Sequence, residues 1–337
     1  MVEIRWERSL HQAGSGAGLA VDADRVVVHE RNTRLVCLDP EDGSVRWDVP
    51  TGRRLRAIVV AGQRCLVLPQ GADELVCLDL GTGEDVWRAG LRRWTGHLVV
   101  DGDVVLVGGW RGYTPLRALD VATGRPLWEA ERGVRVVRPA AVGGGFLLGE
   151  PGGARVRLIG RRDARELRTW SLPHPLVDHD HEAAFTAVGS GGFLVRCGDD
   201  AVVRIEPSAG TAGEVLRAGK PLAPSAPQHV GGVLWLRERG SGFTVADPRD
   251  GRVLWRSAVR QAVFGQVVAE DVGDGPGFVL ADTSGSLFFV DSGGRVVERV
   301  KLAQRIRALR PLGRGRVLAI TKGTLLAAGI GADARHR

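Results

Sequence analysis

The sequence predicts an all-β fold: an eight-bladed β-propeller with four antiparallel strands per blade, the ring closed by the N-terminal strand pairing with the C-terminal blade. Three observations carry this expectation. A turn-and-tryptophan signature recurs with a period in the propeller range of roughly 40–45 residues. Eight short apolar runs each precede one copy of the signature. The N-terminal segment supplies the strand that the last repeat lacks.

The signature is clearest in CLDPEDGSVRW, which ends at Trp47, CLDLGTGEDVW at Trp87, ALDVATGRPLW at Trp128 and VADPRDGRVLW at Trp255. An apolar strand runs into Asp, a tight turn follows in which Gly supplies a positive φ, and the next strand carries the Trp. A Trp so placed is expected to lie across to the neighbouring sheet and seal one repeat against the next through its large apolar area. LIGRRDARELRTW, ending at Trp170, reads as a further copy; RIEPSAGTAGEVLR and FVDSGGRVVER read as copies without Trp. Counting Trp6, successive tryptophans stand 41, 40, 41 and 42 residues apart up to Trp170, and Trp255 follows 85 later, which is two repeats.

The second strands are expected at RVVVHE, RCLVLP, DVVLVGG, GFLLGE, GFLVRCG, GVLWLRE, GFVLADT and RVLAIT. The last repeat continues with TLLAAGI (324–330) and stops before its outer strand, whereas VEIRWERSL near the start matches SVRWDVP. Pairing these segments closes the ring and removes exposed strand edges. One domain over residues 1–330 is therefore expected, with GADARHR (331–337) a frayed tail. Seven blades is the alternative count. A two-domain α/β arrangement fails because no window shows a sustained helical stripe.

Hydrophobic residues are 44% and charged residues 25% of the 337, and the formal net charge is +7, nearly all from Arg, with Lys only at 220, 301 and 322. This balance suits an acidic protein segment or an anionic small molecule as partner. The four cysteines form no C-x-x-C pair and are expected as buried thiols. With no charged-then-apolar leader and no run of about 18 apolar residues, a cytoplasmic monomer that contacts no membrane is expected. No basic run interleaved with aromatics points to nucleic acid. Phosphate-loop, HExxH and GxSxG motifs are absent.

The signature resembles the repeat of the quinoprotein propellers: the alcohol dehydrogenases that bind pyrroloquinoline quinone, and the cofactor-free lipoprotein propeller of the bacterial outer-membrane assembly machinery. The resemblance spans nearly the whole chain. It implies the fold, while a fold hosts many activities. The dehydrogenases of this family carry a disulfide between adjacent cysteines beside their cofactor. This sequence has no adjacent pair, so no cofactor is expected and pyrroloquinoline quinone least of all.

In a propeller the outer-to-inner connections and the second-to-third turns share one face, and these carry the candidate site residues. The connections bring Arg56, Arg93, Arg135, Arg260 and Arg305, guanidiniums suited to carboxylate or phosphate. The turns bring His29 and the Gly-rich GGWRGYTPL, whose Trp110 and Tyr113 are typical partner anchors. HPLVDHDHEAAF adds His179 and His181, which would share one side of an extended stretch. They suit a metal, or acid/base catalysis in a non-quinone lyase, cyclase or other tailoring enzyme. A binding or interaction module is the first expectation and such an enzyme the alternative.

Overall fold

A computed structural model describes the chain except residues 1, 11–18, 23, 31–32, 52–53, 72, 179–183, 190, 241, 258, 260–262, 264–266, 273–274, 304, 314, 322 and 331–337, and the side chains of 269–271. The described residues form eight four-stranded sheets, each antiparallel and in simple chain order except the last. Blade 1 comprises Leu19–Asp22, Arg25–Glu30, Arg34–Leu38 and Val45–Pro50, from the inner to the outer strand. Blades 2 to 7 repeat the plan. Blade 8 takes Ala308–Gly313, Arg316–Ile320 and Thr324–Ile330 from the end of the chain and Val2–Ser9 from its beginning, with Val2 opposite Ile330 and Ser9 opposite Thr324. The expected second strands are the strands observed, among them Arg64–Pro69, Gly192–Cys197 and Arg316–Ile320.

The core is a ring of interfaces between neighbouring sheets. Strand side chains alternate between the two faces of a blade, so each blade contributes to two clusters. Val27, Leu35 and Cys37 of blade 1 meet Ile58, Cys65 and Leu78 of blade 2, whereas Val26, Val28 and Val36 meet Leu318 and Leu325 of blade 8. The four cysteines lie in this ring as free thiols. Burial pushes Cys37 and Cys77 up to about 11 and Cys197 up to about 12, so they stay protonated and inert at neutral pH.

One contact recurs at the rim. The indole Nε1–H of Trp47 donates to the carbonyl of Leu80, at 2.8 Å, in the third-to-outer turn of blade 2. Trp6 donates likewise to Pro40 at 3.0 Å, Trp87 to Val121 at 2.9 Å, Trp128 to Arg161 at 2.9 Å and Trp255 to Ser292 at 3.1 Å. The acceptor is in each case the residue after the position that Asp holds in the signature. The indole lies over the turn with Gly beneath it at the seams of Trp6, Trp47, Trp87 and Trp255, where a Cβ on Gly83, which has φ +77°, would sit 2.8 Å from the ring of Trp47; in the turn that Trp128 meets, Ala164 with φ 56° holds that position.

Trp170 does not belong to this series. Its indole is buried with Leu172, Phe185 and Phe193, its Nε1–H has no partner among the described residues, and Arg168 takes the rim position instead. The Arg168 guanidinium lies over Gly210 and donates to the carbonyl of Pro207 at 3.1 Å. At the next seam Arg204 reaches the equivalent carbonyl of Pro248, at 3.4 Å. Seven seams thus use one acceptor position with two kinds of donor. Among the described residues no such bond crosses from blade 7 to blade 8.

Candidate functional site

With the strands of each blade antiparallel, the outer-to-inner connections and the second-to-third turns emerge together, and this loop face carries most of the candidate residues. Its most built region spans blades 2 to 4. In blade 3 the turn after Val104–Gly108 runs through an unusual backbone, with positive φ at Gly108, Gly109, Arg111 and Gly112. A side chain at Gly108 would strike the carbonyl of Pro115 at 2.1 Å, so the tight path needs glycine there. Arg111, with φ 56°, is one of three non-glycine residues in this region of φ among the described residues.

The turn folds Trp110 inward until it is only 7% exposed. The ring packs on Gly96, where a Cβ would overlap Trp110 Cβ at 1.8 Å. The guanidinium carbon of Arg56, from the start of blade 2, lies 3.8 Å from the indole centroid, and that of Arg111 lies 4.3 Å from it. Both are within cation–π range, so one indole gathers two positive charges. The neighbouring connections are pinned beside it. The Val136 amide donates to the Gly109 carbonyl at 2.8 Å, and His97 Nε2 lies 2.9 Å from the Val136 carbonyl.

Around this buried centre stand exposed anchors. Tyr113 is 68% exposed, and Trp94, 50% exposed, lies over Gly71 with Arg93 exposed beside it. Arg135 borders Gly112 and forms an ion pair with Asp178. Arg138, at the entrance to the inner strand of blade 4, is half-buried, and burial pushes its guanidinium below the usual range. The arrangement offers aromatic faces and several guanidiniums within one sector.

The structure therefore brings Arg56 and Trp110 into contact and sets Arg135 and Tyr113 around the same turn, with Arg93 on the adjoining connection. Other candidates stand apart. His29 is buried in the second strand of blade 1 beside Glu30, which pairs with Arg34 at 2.8 Å and with Arg8 at 3.7 Å and so ties blade 1 to blade 8. Arg305 lines a cleft between blades 7 and 8. Arg260, His179 and His181 lie outside the described residues. His174, from the same connection as the His pair, has Nε2 3.0 Å from the Glu214 carboxylate and 2.5 Å from the Arg217 guanidinium. Among the described residues no group of three or more His, Cys, Asp or Glu side chains is placed to hold a metal. Arg111 and Trp94 complete the blade 2–4 sector; their signal was their position in two connections that fold against each other.

An eight-bladed ring of four-stranded sheets with an Asp-turn-Gly-Trp repeat defines a propeller of the quinoprotein-like repeat class. A family model described as outer membrane protein assembly factor BamB matches residues 3–77, 71–212 and 152–330, and the chain belongs to that family. A curated relative of the same description, from Alkalilimnicola ehrlichii, is 31% identical over 155 residues, 42% of this chain and 39% of the relative. The chain thus matches well under half the length of that relative. Among solved structures, BamB from Moraxella catarrhalis superposes with a TM-score of 0.76 over 100% of this chain and 99% of that one, at 14% identity. A europium-containing methanol dehydrogenase gives 0.70 over 98% and 93%, at 11% identity. At such identities these likenesses show the fold.

Proposed function

We propose that this propeller is a protein-interaction module that docks an acidic protein segment on the loop face of blades 2 to 4. The observation that carries the reading is the indole of Trp110 with the guanidiniums of Arg56 and Arg111 upon it, ringed by exposed Tyr113, Trp94, Arg93 and Arg135. Trp, Tyr and Arg are the residues that dominate interface energetics. Clustered guanidiniums recognise carboxylates by paired hydrogen bonds and steer an acidic partner by their field. The family description, an assembly factor, agrees with action on other proteins. Pyrroloquinoline quinone is no part of this proposal. The signature Asp and Trp are occupied structurally: Asp39 accepts the Glu41 amide at 2.8 Å within its turn, and Trp47 is held at its seam.

A fluorescent peptide of alternating Glu and Phe, titrated against the full chain, tests the reading by anisotropy. Saturable binding is expected, weakening as salt rises and falling at least tenfold when Arg56, Arg93 and Arg135 are changed together to Ala. Equal affinity of the triple variant would overturn it. A cytoplasmic, monomeric setting belongs to the same proposal, and cell fractionation with light scattering of the purified chain checks it.

A further inference from the structure

The seam between blades 7 and 8 differs from the others in what fills it. In the register of blade 7, Glu298 stands opposite Phe289, where blade 6 sets Trp255 opposite Val245. In blade 8 the third strand, Thr324–Ile330, pairs with Val2–Ser9 from the other end of the chain. A cleft of about 500 Å³ opens at this seam, within the range of roughly 300–1,000 Å³ typical of small-ligand sites.

Its apolar wall is formed by Ile4, Leu302 and Leu326, and Ile4 is left 49% exposed. Its polar groups are few. The Thr321 hydroxyl is engaged within its own turn, donating to the Thr324 carbonyl at 3.0 Å and accepting from the Thr324 amide at 2.9 Å. Among the described residues two charged side chains line it: Glu7 on the strand that closes the ring, and Arg305 on the connection from blade 7. They line the same space, form no ion pair with each other within 4.0 Å, and make no hydrogen bond or ion pair with another described residue. Opposite charges that line one partly apolar cleft without pairing with each other match a molecule that is itself zwitterionic with an apolar body.

We propose that this cleft binds a small zwitterionic ligand of the size of an apolar dipeptide. Its carboxylate would lie on Arg305, its ammonium on Glu7, and its side chains against Ile4, Leu302 and Leu326. A guanidinium suits the carboxylate by two parallel hydrogen bonds. Because Glu7 and Arg305 belong to opposite ends of the sequence, the bound ligand ties the closing strand to the neighbouring connection. The site lies away from blades 2 to 4 and stands independently of the acidic-segment reading.

The test uses the full chain and leucyl-leucine as probe, by isothermal titration and by amide hydrogen exchange. One site per chain is expected, with slower exchange in Val2–Ser9 on saturation. Arg305→Ala and Glu7→Gln should each weaken binding at least tenfold. N-acetyl-leucyl-leucine, which lacks the ammonium, should bind the wild type at least tenfold more weakly than the parent, and Glu7→Gln should lose that preference. Absence of saturable binding at millimolar probe, or binding that neither substitution alters, would overturn the proposal. All these substitutions are at exposed positions, and unchanged circular dichroism verifies that the variants fold.

Discussion

The seams between blades 1 and 2 and between blades 4 and 5 make the same contact with different chemistry. At the first, Trp47 is buried over Gly83 and donates to the Leu80 carbonyl. At the second, exposed Arg168 lies over Gly210 and donates to the Pro207 carbonyl. The acceptor and the glycine beneath the donor are the same; the apolar area removed from water is not. The Trp seams rest on burial. The blade 5–6 seam leans on charge: Glu238 of blade 6 holds Arg256 of its own outer strand and Lys220 of the connection from blade 5, and Arg256 also donates to the Ala218 carbonyl.

This contrast is broken most severely at Trp47. Trp47→Ala removes a buried indole from an interface that cannot collapse around the gap, and a loss of about 3–5 kcal/mol is expected. Denaturant unfolding followed by circular dichroism measures it. A loss below that of the exposed Arg168 position would mean that the rim contact, and not the buried area, carries the seam.

The sequence already announced most of this frame, because Asp and Trp eight residues apart (Asp39 and Trp47, Asp79 and Trp87, Asp120 and Trp128, Asp247 and Trp255) are one turn and one strand register. The same arithmetic identifies the exception. Gly160 holds the Asp position, and eight residues later stands Arg168, whereas Trp170 is ten away and turns into the blade 4–5 interface. Aromatic identity drew attention to Trp170; position was the better guide. The candidate site was legible only as composition. Arg56 and Trp110 belong to different blades, and the bulge that places Arg56 between Leu55 and Ala57 in the inner strand of blade 2 left no mark in the pattern of residues. The side-chain direction that brings Arg56 onto the indole comes from that irregular register.

The charge-based blade 5–6 seam should respond to acid through Glu238. Burial alone would raise the Glu238 carboxyl, but hydrogen bonds from Thr244 and Arg256 and the charge of Lys220 hold it below the usual glutamate range. Its folded-state value being depressed, Glu238 stabilises the fold above the ordinary glutamate range, and that contribution is lost as pH falls through the folded-state value. Glu238→Gln should therefore cost about 1.5–3 kcal/mol near neutrality, the strength of hydrogen bonds to a charged group. The gap to the wild type should close in acid. Stability curves of both proteins from neutral to acid pH check it; a gap that stays constant would show that the carboxylate is not what the variant removes.

The smallest effect should come from Arg168 itself. Arg168→Ala deletes one exposed hydrogen bond to the Pro207 carbonyl and the stem that covers Gly210, and about 0.5–1 kcal/mol is expected. That modest figure is what makes the position informative. If Arg168 is a polar substitute for the indole, Arg168→Trp should restore both the donor and the apolar area, and the variant should exceed the wild type in stability. A glycine like the one beneath Trp47 is already present at 210, with φ +76°. The acceptor carbonyl is already in place. A neutral or destabilising Arg168→Trp would mean that the blade 4–5 seam is spaced for a guanidinium, its geometry set by Trp170 packed inside the interface. Denaturant midpoints of the two variants and the wild type, measured side by side, separate these cases.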